Sequence, residues 1–384
     1  MKRKIAVVTS SRAEYGHLFW LLRDLENDAG FDLKLLVMGA HLSPEFGTTV
    51  QEIRRDGFKI EAEIECLLSS DSDLGMAKTI GLATLGCADA LARIRPDILL
   101  LIADRYEMLA PASVAVALRI PIAHIEGGEV SQGAIDDAVR NALTKLSHVH
   151  FACTQTARRR VLAIGEEDWR VHFTGSPGLD ALKRRPLLSL EELEGELGCS
   201  LGESPIVVAY HPVTMMEDTT AEFEHLLSAL NCFSLPLIFV YPNADAGSRL
   251  LVSRSREFAQ LGSNARVFVN LEHNTFLSLL SRAAVMVGNS SSGIMESTSI
   301  GLPTVNIGLR QQGREHAENV LDARAEAEDI VAKMRIALTP EFRQKIKNVE
   351  NPYGDGCASQ RILQVLREVQ LGPSLLIKAP VEVS

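Results

Sequence analysis

The strongest constraint on this chain is an alternation of short apolar runs with helix-spaced segments that passes along it twice. Lys4 to Ser10 is an apolar run closing on Thr-Ser-Ser, the pattern of a strand buried on both faces of a parallel sheet. Leu18, Leu21, Leu22 and Leu25 follow at the spacing of one helix face. Asp32 to Met38, Ile98 to Ile102, Ile122 to Ile125, His148 to Cys153 and Val171 to Thr174 read as further strands. Between them, Phe46, Val50 and Ile53 suggest a helix stopped by Gly57, and Met76 to Ile94 a longer one that Pro96 cannot extend. After turn chemistry at Thr174-Gly-Ser-Pro-Gly178 and a polar stretch from Lys183, the order restarts. Ile206 to Tyr210, Leu235 to Tyr241, Arg266 to Asn270, Val285 to Gly288 and Thr304 to Ile307 are its strands.

This repetition predicts an α/β protein built from two doubly wound, Rossmann-like domains with a central cleft. The length of 384 residues agrees, being too great for one ordinary core. The expected domains are residues 1–176 and 177–355, with residues 356–384 a helix and tail returning to the first. The tail after Gly372 reads as irregular and is given no role.

A formal charge of −10 argues against a nucleic-acid binder, which needs a broad basic surface to neutralise phosphates. It leaves room for an anionic small ligand, because a few arginines and helix N-termini make a local positive pocket. Cys66, Cys87, Cys153, Cys199, Cys232 and Cys357 are scattered without a CxxC pair. They read as reduced, mostly buried small hydrophobes, neither a disulfide framework nor a zinc site. Ile5 to Val8 is too short for the apolar core of a signal peptide, and no stretch approaches the length of a membrane span. A cytoplasmic location without membrane contact is expected. The first βα turn lacks GxGxxG, and neither a Walker motif nor a metal-ligand cluster is evident, so no nicotinamide cofactor or metal is indicated.

In doubly wound sheets ligands sit at the carboxyl ends of strands. Asp104 and Arg105 directly follow Ile98 to Ile102, and Glu126 follows Ile122 to Ile125 in His124-Ile-Glu-Gly-Gly-Glu129. Asp136-Asp137 opens a helix over Ala138 to Leu146. Each carboxylate alone has an ordinary structural explanation, such as helix capping for Asp136. As a set after successive strands, Asp104, Glu126 and Asp136 favour proton transfer, since proximity separates their pKa values. Gly127 and Gly128 would let a substrate approach the backbone.

In the second half, Gly288-Asn-Ser-Ser-Ser-Gly293 lies between a strand and a helix, where backbone N–H groups and the hydroxyls of Ser290 and Ser291 suit a diphosphate. Glu296, one turn into the expected helix, could accept hydrogen bonds from ribose hydroxyls or complete a capping box. Arg12 after the first strand, Arg310 and Arg314 after the last, and His211 in His211-Pro-Val-Thr214 occupy equivalent strand-end positions. His148 and His150 read as structural, and Arg158 to Arg160 as a solvated helix face. The residues alone therefore reach a two-domain enzyme for a phosphorylated ligand and do not name its reaction.

At these motifs the chain closely resembles the hydrolysing UDP-N-acetylglucosamine 2-epimerases. The matching stretches are Arg12-Ala-Glu-Tyr15, Asp104-Arg105, His124-Ile-Glu-Gly-Gly-Glu-Val130, Ile135-Asp-Asp137, His211-Pro-Val-Thr214, Pro242-Asn-Ala-Asp-Ala-Gly-Ser248, Gly288-Asn-Ser-Ser291 and the segment Arg310 to Glu315. The resemblance implies a GT-B-like fold, no metal, no cofactor, a homodimer and a UDP-sugar substrate. It implies anti elimination of UDP to a 2-acetamidoglucal and rehydration to N-acetylmannosamine, for sialic acid synthesis. It makes Asp104, Glu126 and Asp136 the acid/base groups, and has Arg12, Arg105, His211, Asn243, Ser290, Ser291, Glu296 and Arg310 hold UDP. One extra residue stands between Glu129 and Asp136, and Gly16 replaces a serine of the bifunctional epimerase/kinase. The residues that bind its sialic-acid inhibitor are only partly matched: Arg249 fits and Ser253 does not.

Two alternatives stand beside this expectation. The first keeps the chemistry and changes the sugar to the 2,4-diacetamido-2,4,6-trideoxyhexose of legionaminic acid synthesis, with which His41 to Gly47 and Gly133 to Asp136 are equally compatible. The second is an inactive nucleotide-sugar-binding regulatory protein, disfavoured by retention of all three carboxylates. A glycosyltransferase is weaker still, because no acceptor-binding feature is evident.

Overall fold

The computed structural model describes residues 2–68, 70, 72–132, 134–202, 204–213, 221–241, 248–261, 264–269, 271–379 and 381. The chain divides into two compact units. One comprises Met1–Glu129, Ile135–Asp180 and Tyr353–Ser384; the other comprises Val130–Ala134 and Ala181–Pro352.

Among the described residues the first unit has seven strands: β1 (Arg3–Thr9), β2 (Phe31–Met38), β3 (Ile60–Ile64), β4 (Ile98–Ile102), β5 (Ile122–Ile125), β6 (Val149–Ala152) and β7 (Val171–Phe173). They lie in the order β3-β2-β1-β4-β5-β6-β7, every neighbouring pair parallel. The second unit has β8 (Ile206–Ala209), β9 (Leu237–Tyr241), β10 (Ala265–Val269), β11 (Val285–Gly288), β12 (Thr304–Ile307) and β13 (Val320–Ala323), in the order β10-β9-β8-β11-β12-β13 and again all parallel. Both sheets are doubly wound, as the alternation predicts. The order reverses between β1 and β4 in one and between β8 and β11 in the other. Those switch points are where such sheets open a crevice for a ligand.

The local chemistry explains the first crossover. Residues Ile5–Thr9 of β1 are wholly buried, which suits a central strand. Ser11 then caps the helix Arg12–Asn27 in a reciprocal capping box with Glu14. Leu18, Leu21, Leu22 and Leu25 of that helix are fully buried against the sheet, each contributing about 1.5–3 kcal/mol. Ile362 and Leu366 of the helix Ala358–Glu368 join the same core. The helix anticipated from Met76 begins three residues earlier, at Asp73, with Ser72 as its cap. Phe46 falls in a separate short turn, and the helix beyond it spans only Val50–Arg55.

The segment after Gly372 is more ordered than its composition suggests. Pro373–Leu376 forms a helical turn, and the buried Arg170 guanidinium donates to the carbonyls of Ser374, Leu375 and Ile377. Lys378 Nζ reaches Glu166 Oε1 at 2.8 Å, and His150 Nε2 lies 3.1 Å from Glu166 Oε2. Burial acts to raise the Glu166 carboxyl, but hydrogen bonds from His150, Lys145 and Lys378 bring it down to about 2. His148 Nδ1 accepts from the N–H of Ile122, and burial lowers this ring to about 4. His148 and His150 are thus structural. All six cysteines are free; Cys66, Cys87 and Cys153 are buried, whereas Cys199 and Cys357 are half-buried and Cys232 is exposed.

Candidate active site

The carboxyl ends of β4 and β5 are tied side by side, the Ala103 N–H donating to Ile125 O at 3.0 Å. Two residues there adopt left-handed backbone angles that side chains other than glycine disfavour: Ala103 (φ 60°) and Glu126 (φ 69°). Such strain persists only where the surroundings enforce it, and it clusters at functional sites. Asp104 and Glu126 follow these neighbouring strands directly, so two of the three anticipated carboxylates leave one edge of one sheet.

Asp136 is the second residue of the helix Ile135–Leu146, which starts three residues before the anticipated Ala138. One turn later the same helix carries Arg140, whose buried guanidinium forms an ion pair with Asp104 and lies 3.8 Å from Asp137. Arg140 therefore links the strand-end carboxylate to the helix that bears Asp136. Its place has a readable signal in the sequence, since an arginine four residues after an aspartate shares its helix face.

Glu126 accepts from His17 Nδ1 at 3.3 Å and from Ser176 Oγ at 3.5 Å, both on Oε1. Neither partner was anticipated. The adjacent glycines need a different explanation from substrate approach. A Cβ on Gly128 (φ 82°) would sit 2.2 Å from the carbonyl oxygen of Ala157, and one on Gly127 would sit 3.0 Å from Thr144 Oγ1. They let the turn pack against its own chain. Arg160, expected to be solvated, donates to Gly128 O at 3.3 Å, and Arg158 donates to Val171 O at 3.2 Å.

Arg105 is held by Glu107, with Nε and Nη2 at 3.2 and 3.1 Å from its oxygens. Glu107 is fully buried. Burial pushes the neighbouring Glu14 carboxyl up to about 7, the Arg105 charge being the main opposing influence. Arg12, expected in the loop after the first strand, is instead the first residue of the helix Arg12–Asn27, and its guanidinium pairs with Glu52 at 2.5 Å.

In the second unit the anticipated residues flank the β8/β11 switch. Asn289, which follows β11, clamps the backbone of His211 beyond β8: its Oδ1 accepts from His211 N at 2.6 Å and its Nδ2 donates to His211 O at 2.8 Å. The Asn289 carbonyl also accepts from Arg310 at 3.0 Å and Gln311 at 2.9 Å. One asparagine thus gathers His211, Arg310 and the start of the serine loop. Ser290 Oγ accepts from Ser292 N at 3.4 Å, and Ser291–Gly293 forms a short 3-10 turn. Glu296 is buried and is the first residue of the helix Glu296–Ile300, not one turn into it; the N-cap of that helix is Met295, which makes no side-chain cap bond. Arg314 donates to Val130 O at 3.0 Å, anchoring the Val130–Ala134 segment within this unit. Asn243 lies outside the described residues.

The first unit carries a set of acidic groups at the strand ends of its sheet. The second carries, within itself, a polar, hydroxyl-bearing loop with cationic neighbours. The family model for UDP-N-acetylglucosamine 2-epimerase matches residues 23–367. A Campylobacter jejuni protein named GDP/UDP-N,N'-diacetylbacillosamine 2-epimerase (hydrolyzing) is 38% identical over 89% of this chain and 89% of its own length. A Legionella pneumophila protein named UDP-N,N'-diacetylbacillosamine 2-epimerase (hydrolyzing) is 36% identical over 98% of this chain and 99% of its own. The crystal structure of UDP-GlcNAc 2-epimerase from Neisseria meningitidis bound to UDP-GlcNAc superposes with a TM-score of 0.79 at 19% identity, covering 94% of this chain and 99% of that one. The structural likeness makes the fold GT-B-like.

Proposed function

Because this chain belongs to the UDP-N-acetylglucosamine 2-epimerase family, we propose that it is a hydrolysing 2-epimerase whose substrate is a UDP-linked 2,4-diacetamido-2,4,6-trideoxyhexose. The sugar assignment is carried by one observation: relatives at 38% and 36% identity are named for N,N'-diacetylbacillosamine. UDP-N-acetylglucosamine itself, leading to N-acetylmannosamine, is the competing substrate.

The reaction runs in two stages. A carboxylate takes the proton from sugar carbon 2, the C2–H electron pair becomes the C1=C2 bond, and the C1–O bond to UDP breaks. Water then adds its oxygen to carbon 1 and a proton enters carbon 2 from the opposite face, giving the free epimeric sugar. Asp104, Glu126 and Asp136 carry the proton transfers. The left-handed backbone at Glu126 and the Arg140 pairing of Asp104 support this, since both hold a carboxylate in one place. His211, Ser290, Ser291, Glu296 and Arg310 hold the nucleotide, with Arg12, Arg105 and Asn243; Arg12 would exchange Glu52 for phosphate.

The test is a comparison of kcat/KM for UDP-N,N'-diacetylbacillosamine, its GDP counterpart and UDP-N-acetylglucosamine, with products identified by NMR. The UDP-linked diacetamido sugar is expected to be the best of the three. A higher kcat/KM for UDP-N-acetylglucosamine would overturn the sugar assignment and leave the chemistry standing.

A further inference from the structure

The turn at Thr174-Gly-Ser-Pro-Gly178 has no part in the function proposed above, and neither does His17. They meet at Glu126. Its Oε1 faces both His17 Nδ1, at 3.3 Å, and Ser176 Oγ, at 3.5 Å. An ionised carboxylate only accepts, so both partners donate to it.

The two donors are themselves fixed. A Cβ on Gly178 would lie 3.0 to 3.1 Å from Cδ2, Cγ and Nε2 of His17, so the imidazole packs closely on this glycine and would have to shift for any side chain there. Ser176 N donates to the carbonyl of Tyr353 at 2.8 Å. Gly175 (φ 81°) allows that approach, because its Cβ would stand 2.8 Å from the same oxygen. Two side chains held by backbone contacts thus converge on one oxygen of one carboxylate, in a residue whose own backbone is strained (φ 69°).

The geometry points to His17 as a positioning residue for Glu126, with Ser176 as its second support: by engaging Oε1 they leave Oε2 to face the sugar. This inference rests on the role proposed for Glu126. Fixing which oxygen reacts converts a freely rotating carboxylate into an oriented base, and a misplacement of about 1 Å in such a group costs about 10²-fold in rate. The arrangement follows the wider logic of a reacting group oriented by a third residue that never touches substrate.

The experiment measures kcat and KM for UDP release by wild type, His17→Ala, His17→Asn, Ser176→Ala and Glu126→Gln, with thermal denaturation confirming that each folds. His17→Ala is expected to lower kcat by about 10²-fold with KM nearly unchanged, because only the oriented transition state loses a contact. The amide of His17→Asn presents an N–H close to the Nδ1 position and is expected to restore most of kcat, whereas His17→Leu, assayed beside it, fills the space without a donor and is expected to stay near His17→Ala. Ser176→Ala is expected to show a smaller loss of the same kind. Wild-type kcat in His17→Ala beside an inactive Glu126→Gln would overturn the inference while leaving the parent proposal intact. Full activity in Glu126→Gln would sink both. Equal loss in His17→Asn and His17→Ala would also overturn it.

Discussion

Asp104→Asn, Glu126→Gln and Asp136→Asn are each expected to lower kcat by about 10²–10⁴-fold, the usual worth of a positioned acid or base. The amide keeps the size of each side chain and removes its ability to take up a proton. Glu126→Gln retains a carbonyl oxygen that can accept from His17 and Ser176, so its loss would be chemical rather than architectural. Asp104→Asn carries a second effect. Arg140 is buried, and losing its charged partner is expected to cost on the order of 2 kcal/mol of stability. UDP should bind all three variants nearly as it binds wild type, because the proposed nucleotide contacts are made by other residues. Steady-state UDP release together with calorimetric UDP titration checks this, and near-normal turnover in any one variant removes that residue from the mechanism.

The second large effect is expected at Gly288, where the backbone φ is 142°. A Cβ there would lie 2.0 Å from the carbonyl oxygen of Ala209 and 2.6 Å from its carbon, both backbone atoms of the neighbouring strand. No flexible side chain can move aside. Gly288→Ala should therefore force β8 and β11 apart at their carboxyl ends, where Asn289 binds His211 and the serine loop begins. Overpacking of this kind costs about 1–3 kcal/mol, and the backbone angle adds to it. The melting temperature should fall and the UDP dissociation constant should rise at least about tenfold, equivalent to about 1.4 kcal/mol. Wild-type melting and UDP affinity in this variant would contradict the role assigned to Asn289 and the β8/β11 switch.

What was legible in the sequence follows from burial. Central strands such as β1 and β4 are covered on both faces and read as unbroken apolar runs. The strands that escaped notice, β3 and β13, stand at sheet edges. In Ile60-Glu-Ala-Glu-Ile64 only Ile64 is buried, and β13 is four residues that include an aspartate, so neither carries the continuous signal. Asp104, Glu126 and Asp136 stand out in the sequence because each sits just beyond a strand or opens a helix. Their partners were harder to find. Arg140 could have been reached from its spacing to Asp136, but His17 and Ser176 join Glu126 across 109 and 50 residues, with no local pattern to announce it. Nor does any sequence signal mark Ala103 and Glu126 as left-handed, since a glycine would be the ordinary occupant. The tail beyond Gly372 looked irregular because its order comes from Arg170 and Glu166, which belong to a distant part of the chain.

Proton exchange at sugar carbon 2 separates this chemistry from simple hydrolysis of the glycosyl–phosphate bond. The direct measurement is turnover of the UDP-linked N-acetylated sugar in heavy water, with the released sugar read by NMR and mass spectrometry. The account predicts a product inverted at carbon 2 that carries one solvent-derived deuterium there, released together with UDP. A product bearing its original hydrogen at carbon 2 would contradict it.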